Sequence, residues 1–424
     1  MPMDLFKKIN YHYLKGICLV AGTCIGAGMI GIPVKTAGAG FYPTIVAFVV
    51  VWAVMTASAL LFLEASLSFS GAVNFISMTT SIFGNTGKNI AWLICLLFMY
   101  SIMAAYASGG AALIGELSPI EINNYLGTTI FMLPFAVITY LGTKWVGFFN
   151  RLLTIGVIIS FICLCGTLVL AASGTGTTAN LSAVVNFNLL FKALPLMVIT
   201  FGYHEIIPPL KSYLREEITT LKIAILIGSI IPLIIYITWQ LLILLLIPAS
   251  GVDGLSEMLS SNSNPSSSLI DYIADHYNNK NVLRCFATFS FFALTCSLTG
   301  SSWALFDFFA DGLSIFRNKK GKFFLSLVTF IPPIIYAIVF PNGFLKALSL
   351  AGAFSAIIMI IYPVLMVWKI RIHQKYIAHS NIGSIENIST INNYRYQAPF
   401  GFVAMLVIFL FGVAIIVLEI INHI

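Results

Sequence analysis

Residues 15–35 read KGICLVAGTCIGAGMIGIPVK, an apolar run between two lysines whose middle, Gly22-Thr23-Cys24-Ile25-Gly26-Ala27-Gly28, is glycine-rich. A run of this length crosses about 30 Å of hydrocarbon as a helix. Glycine in its interior weakens that helix at the depth where water is absent. Residues 192–211, KALPLMVITFGYHEIIPPLK, carry a second interruption, Thr200-Phe201-Gly202-Tyr203-His204-Glu205, with Pro208-Pro209 behind it. In hydrocarbon every backbone N–H and C=O must find a partner, so a broken helix persists only where it lines a cavity or holds a ligand. Two breaks in corresponding places, five helices apart, predict a binding site between two structural repeats.

The composition is that of an integral membrane protein. The chain is 59% hydrophobic and 9% charged, with a mean hydropathy of +0.97, whereas soluble domains carry about 25% charged residues. The formal charge of +7 does not indicate nucleic acid, because the basic residues sit in short loops between apolar runs and not on one soluble face. The seven cysteines lie in or at the ends of apolar stretches with no CxxC and no zinc spacing, which predicts free thiols and neither metal nor cofactor. No small-residue cleavage site follows the first apolar run, so no signal peptide is expected.

Charges punctuate the chain into eleven apolar spans with approximate cores at 16–38, 42–68, 89–115, 126–143, 152–172, 189–210, 222–248, 284–310, 323–340, 345–368 and 399–421. With the N-terminus inside, 17 of the 22 Lys and Arg, among them Lys88, Lys211, Arg317 and Arg371, fall in cytoplasmic loops, as the positive-inside rule requires. The odd number of spans places the C-terminus outside. The Ser/Asn-rich outer loop from about 250 to 281 is expected to hold short helices. The Asn-rich segment from His373 to Arg395 reads as a linker to the eleventh helix.

Five spans per repeat is also an odd number, so the first and sixth spans start on opposite sides and the repeats must be inverted. This arithmetic matches the all-α LeuT-type architecture, with helices 1 and 6 unwound at the midplane. The expected organisation is one transmembrane domain over 1–424: a first five-helix repeat (1–175), a second, inverted one (185–370) and an eleventh helix (395–424).

The first break suits an amino acid zwitterion. Around Gly22, Thr23, Ile25, Gly26 and Gly28, free N–H groups at the start of the outer half-helix would receive the carboxylate, helped by the helix dipole. Carbonyls freed in both breaks would receive the ammonium. Two blander readings compete. Gly26-Ala27-Gly28-Met29-Ile30-Gly31 matches a dinucleotide-binding pattern, but no strand–turn–helix context exists inside a membrane span. Gly22 and Gly26 also form a small-xxx-small packing motif, which alone would explain them; the paired break tips the balance toward a site. Side-chain selectivity is expected from Ser101 and Tyr106 on helix 3, Phe201, Gly202 and Tyr203 on helix 6, and Phe292 and Thr295 on helix 8. With aromatics at 13% of the chain, any single ring is more often packing than site.

Ionisable residues inside a membrane are functional candidates because burying them is costly. His204 and Glu205 adjoin the second break and are candidates for substrate binding or proton exchange, against a plain role in capping freed backbone. Glu64, toward the inner end of helix 2, is a coupling or gating candidate whose simpler role is to pair with a base. Asp307 and Asp311 share a helix face beside the basic run 317–322 and read as an anchor.

Ile17–Pro33 (ICLVAGTCIGAGMIGIP), Leu60–Glu64 (LLFLE), Thr200–Pro208 (TFGYHEIIP) and Leu305–Gly312 (LFDFFADG) together resemble the hydroxy and aromatic amino acid permeases. These belong to the amino acid, polyamine and organocation superfamily. The resemblance implies the LeuT-type fold with eleven spans, and proton-driven import of amino acids across the bacterial inner membrane. Phe201-Gly202-Tyr203-His204 looks like the tryptophan and tyrosine branch; the serine and threonine branch carries a Phe-Ser-Phe-Asn-like sequence there. Glu205 departs from the family pattern, where small or neutral residues are commoner. Some proton-coupled relatives carry a helix 5 lysine, yet no Lys or Arg lies between Arg151 and Lys192. Thr299, Ser301 and Ser302 on helix 8 leave sodium coupling open. A membrane-embedded enzyme would need a nucleophile with its base or a metal cluster, and no such set is present. A channel or receptor would not require paired broken helices. The implied partners are a small amino acid and the lipid bilayer, with no nucleic acid.

Overall fold

A computed structural model describes residues 14, 16–26, 28–69, 73–118, 120–175, 186–214, 217–249, 251, 254–260, 264–276, 280–380 and 396–423. Among them the architecture is helical, with no sheet. Ten helices are long and apolar enough to cross a membrane, and an eleventh is made if the bent pair Gly16–Cys24 (α1) and Gly28–Thr36 (α2) is one span. The two halves of that pair meet at 51°. The remaining helices are α3 (Phe41–Leu67), α4 (Phe75–Leu117), α5 (Asn124–Leu141), α6 (Thr143–Thr175), α7 (Phe187–Thr200), α8 (Ile207–Tyr213), α9 (Ile218–Leu246), α10 (Leu255–Ser260), α11 (Pro265–His276), α12 (Lys280–Gly312), α13 (Lys319–Val339), α14 (Phe344–Ala356), α15 (Tyr362–Ser380) and α16 (Phe402–His423).

The spans read from charge punctuation are all present, and two differ in detail. α4 begins well before residue 89 because Asn74 and Ser77 form a capping box at its start. It turns at Gly84, whose φ of 70° no β-branched residue would adopt. The tenth span is two helices joined by a π-helical turn over Ile357–Ile361, a device frequent at functional sites. α15 runs on to Ser380, so the stretch after His373 is helical before the linker; residues 381–395 lie outside the described residues. The expected short loop helices are α10 and α11.

Small residues bring the helices close, as is usual where lipid supplies no hydrophobic drive between them. Gly228 of α9 sits so near α1 that a Cβ there would lie 2.7 Å from the Val20 side chain and 3.0 Å from the Ile17 carbonyl. Gly156 of α6 admits the ring of Phe292.

Polar clasps fasten the ends. Lys211 donates to the Ser66 and Phe69 carbonyls at 3.0 and 2.6 Å, satisfying the C-terminal end of α3. Lys369 does the same for Ile82 at 2.5 Å, just before the Gly84 turn. α16 is tied to α14 by Ser349, which donates to Glu419 at 2.7 Å.

Candidate functional site

The two sequence breaks meet in space. α1 ends at Cys24 and α2 restarts at Gly28; α7 ends at Thr200, and Phe201–Tyr203 are non-helical before a short 3-10 turn at His204–Ile206 leads into α8. A Cβ on Gly28 would come within 2.6 Å of the Thr200 methyl, so the two breaks touch through a missing side chain.

A third helix holds them. The Tyr236 hydroxyl of α9 lies against the Cys24 carbonyl and 2.9 Å from the Thr200 carbonyl. A phenol has one hydrogen, so it donates to one of them at a time or shares it between both. One turn on, Trp239 Nε1 donates to the Met29 carbonyl at 2.9 Å. The natural partner of that carbonyl would be the N–H of residue 33, which is proline and has none. Gln240 Nε2 donates to Thr36 at 3.0 Å, completing a ladder from α9 onto the first broken span.

Below the second break lies a cavity of about 730 Å³. Its walls mix polar side chains with five aromatic rings, Phe62, Phe75, Trp92, Phe98 and Phe308, and Trp92 stacks on Phe308 with centroids 5.1 Å apart. His204, Glu205 and Met359 form its deep end, and Lys88, Asp307 and Asp311 stand toward its mouth. His204 and Met359 are 2% and 3% exposed, whereas the Asp307 and Asp311 side chains are 34% and 77% exposed. The cavity therefore opens at the Asp311 end of the bundle, where Arg317 pairs with Asp307 and Asp311 at 2.9 and 3.1 Å.

His204 is the anomaly in this wall. Its ring is buried between Phe62 and Tyr203, with centroids 6.2 and 5.5 Å away. Neither ring nitrogen has a hydrogen-bond partner among the described residues. Buried polar groups are almost always paired, so such an orphan is where a ligand or proton is to be sought. Glu205, next in sequence, is exposed to the cavity.

The other sequence candidates divide into groups. Gly26 faces α12: a Cβ there would lie 2.7 Å from Ser297 Oγ, and Tyr106 reaches the Ser297 and Ser301 side chains from α4. Gly202 abuts Met359 of the π-helical turn, with Sδ 3.1 Å from a built Cβ. Phe201 and Tyr203 point away from the cavity. Phe201 packs edge-on against Tyr236 at 5.1 Å, and the Tyr203 hydroxyl approaches Thr56 at 3.4 Å. Phe292 packs into α6. Thr295 and Thr299 donate to the Phe291 and Thr295 carbonyls of their own helix, both at 2.7 Å, and Ser302 to Thr299 at 3.1 Å. Thr23 likewise bonds back to Val20 at 2.8 Å; Gly22 is exposed, Ile25 half-buried and Ser101 buried, all three apart from the cavity walls. Glu64 is buried and paired with Arg371 and the Ala398 N–H, and it is not among the wall residues.

Tyr236, Trp239, Ser297 and Met359 escaped the sequence reading. The first two had a signal: in residues 233–246, LIIYITWQLLILLL, Tyr236, Trp239 and Gln240 fall at i, i+3 and i+4, one face of a stretch that is aliphatic apart from them and Thr238.

Residues 10–419 match the model of the tryptophan/tyrosine permease family. Among curated relatives, the chain is 32% identical over 367 residues to the tyrosine-specific transport system 1 of Haemophilus influenzae, covering 86% of this chain and 88% of that one. It is 29% identical over 382 residues to the tryptophan-specific transport protein of the same organism, covering 85% and 88%. With that organism's tyrosine-specific transport system 2 it shares 29% over 361 residues, covering 84% and 87%. A match over nearly the whole length, on a helical bundle broken twice beside a deep cavity, makes this chain a member of the tryptophan/tyrosine permease family, a transporter and not an enzyme.

Proposed function

We propose that the protein carries aromatic amino acids, tyrosine or tryptophan, across the bacterial inner membrane by proton symport and alternating access. The observation that carries this is the meeting of the two broken spans above a cavity that has five aromatic rings among its lining residues. Tyrosine and tryptophan are the substrates named for the relatives. Broken half-helices offer the zwitterion what it needs: N–H groups at the start of α2 for the carboxylate and carbonyls at the ends of α1 and α7 for the ammonium. Trp92 and Phe308 give a side-chain ring surfaces to pack on during passage, worth about 0.5 to 1.5 kcal/mol beyond area burial.

In this account residues 1–175 and 185–370 are inverted LeuT-type repeats and residues 395–424 add the eleventh helix. The N-terminus is cytoplasmic and the C-terminus outside. Lys88, Asp311 and Arg317 then lie on the cytoplasmic side, and the cavity is the inward-facing release path. His204 and Glu205 at its deep end are placed to exchange protons with the cytoplasm. Glu64 serves as a structural clasp, leaving coupling to those two residues.

Uptake of labelled tyrosine by purified protein in liposomes, competed with each amino acid, tests the substrate class. Competition by tryptophan and phenylalanine supports it; competition by serine and threonine alone would move the protein to the hydroxy amino acid branch.

A further inference from the structure

At the end of the bundle away from the cavity mouth, three helices bring lysines together. α2 and α7 run antiparallel from the breaks: a Cβ on Gly28 would meet Thr200 at 2.6 Å, one on Gly31 would meet Leu196 at 3.6 Å, and Gly38 lies against Leu189. The same register sets Lys35 across from Lys192. The Gly31 Cβ would also meet Leu345 of α14 at 2.9 Å, next in sequence to Lys346. Lys35 is within electrostatic reach of Lys192, Lys346 and Glu419 of α16. Glu419, the carboxylate in that set, accepts from Ser349 at 2.7 Å, so three ammonium groups share one negative charge and the cluster attracts an anion. Phe344, two residues before Lys346, packs against Gly109 near the end of α4, whereas Asn74 and Ser77 at the start of α4 line the cavity.

A second observation falls at the same place. α16 runs antiparallel to the tenth span, since a Cβ on Gly412 would meet Ile360 at 3.0 Å while Glu419 meets Ser349. One turn further on, that pairing sets Asn422 beside Lys346. Asn422 Nδ2 is buried and has no hydrogen-bond partner among the described residues. A buried donor in that state is where a ligand's acceptor is to be sought. Lys192 and Lys346 are exposed and Lys35 half-buried, and the side chains beside them, Phe191, Leu350, Ile420 and Ile421, are exposed and apolar. Cations and an orphaned N–H at a helix end, above an apolar skirt, fit a lipid that is anionic at its head.

We propose that Lys35, Lys192, Lys346 and Asn422 form a binding site for the phosphodiester of an anionic phospholipid, whose acyl chains lie along Leu350 and Ile420. The phosphodiester brings one negative charge and two unesterified oxygens, acceptors for the ammonium groups and the amide N–H. A zwitterionic lipid is disfavoured, because its own cation would face three lysines. The site goes beyond the transport reading and stands without it. On the topology proposed above it lies in the outer leaflet, and it gathers three of the five Lys and Arg that fall on that side.

Photo-crosslinking of the purified protein in phosphatidylcholine nanodiscs tests this. A phosphatidylglycerol analogue with a diazirine near the top of one acyl chain is added, and labelled peptides are identified by mass spectrometry. Label is expected on segments 187–192, 344–350 and 417–423, displaced by phosphatidylglycerol and by neither phosphatidylethanolamine nor inorganic phosphate. No label there, or equal displacement by phosphatidylethanolamine, would overturn the proposal; displacement by inorganic phosphate would show a site for the free anion and overturn the lipid assignment. Lys192→Gln with Lys346→Gln changes exposed side chains only, which spares the fold, and is expected to weaken binding about twentyfold, about fivefold for each lysine. Asn422→Leu alters no charge and should cost about tenfold, the loss of one hydrogen bond to a charged group. Weakening by the lysine changes with none from Asn422→Leu would reveal diffuse attraction to a charged surface and overturn the site. Unchanged labelling in both variants would overturn it outright.

Discussion

Glu64 and Arg371 form a two-pronged ion pair, Nε to Oε1 at 2.8 Å and Nη2 to Oε2 at 2.6 Å, joining α3 to α15 across 307 residues of sequence. Both partners also hold the approach to α16. Glu64 accepts from the Ala398 N–H at 2.7 Å, and Arg371 donates to the Ala398 and Phe400 carbonyls at 2.9 and 2.6 Å. A buried charge left without its partner is costly, so Glu64→Gln should lower the unfolding free energy by about 3 kcal/mol or more. Thermal unfolding in detergent checks this: the midpoint should fall, while protein that still folds keeps its affinity for tyrosine. An unchanged midpoint would return Glu64 to the list of coupling residues.

The glycines of the breaks make a steric prediction. Gly26→Val would drive a side chain into Ser297, and Gly202→Val into the Ile199 carbonyl and Met359, contacts that even a lone Cβ would make at 2.7 to 3.1 Å. Both variants should reach the membrane in normal amounts and lose uptake. Normal uptake by both would show that the breaks are packing features alone.

His204 carries the prediction on coupling. An imidazole whose two nitrogens have no partner among the described residues, in the wall of a cavity, can take up a proton, whereas a phenyl ring of similar size cannot. His204→Phe should abolish accumulation driven by a proton gradient while exchange of labelled for unlabelled tyrosine continues. One proton moved with the substrate is worth about 2.3 kcal/mol per 100 mV, roughly fifty-fold accumulation, and the variant should approach equal concentrations on the two sides. Accumulation at the wild-type level in the variant would remove His204 from the coupling path.

The membrane class, the spans and both breaks were legible in the sequence, because the bilayer restricts the backbone to apolar helices of a set length and glycine or polar interruptions stand out against them. Side-chain directions were not. Phe201 and Tyr203 look like site residues by their position in the break, yet they turn into the packing against Tyr236 and Thr56. Which way a residue faces in a non-helical segment depends on local dihedrals that no periodicity encodes. Glu64 was ambiguous for a related reason, since its partner Arg371 is far away in the chain and only the fold brings them together. The ladder of Tyr236, Trp239 and Gln240 went unread, although its i, i+3, i+4 spacing marks a polar face and Pro33 marks the carbonyl that needs it.

Proton-driven uptake of labelled tyrosine in liposomes, with proton and sodium gradients imposed separately, tests the central claim most directly. The account predicts accumulation under an inward proton gradient alone, blocked by tryptophan and not by serine. Accumulation that needs sodium and ignores the proton gradient would contradict it and move attention from His204 and Glu205 to the hydroxyls of α12.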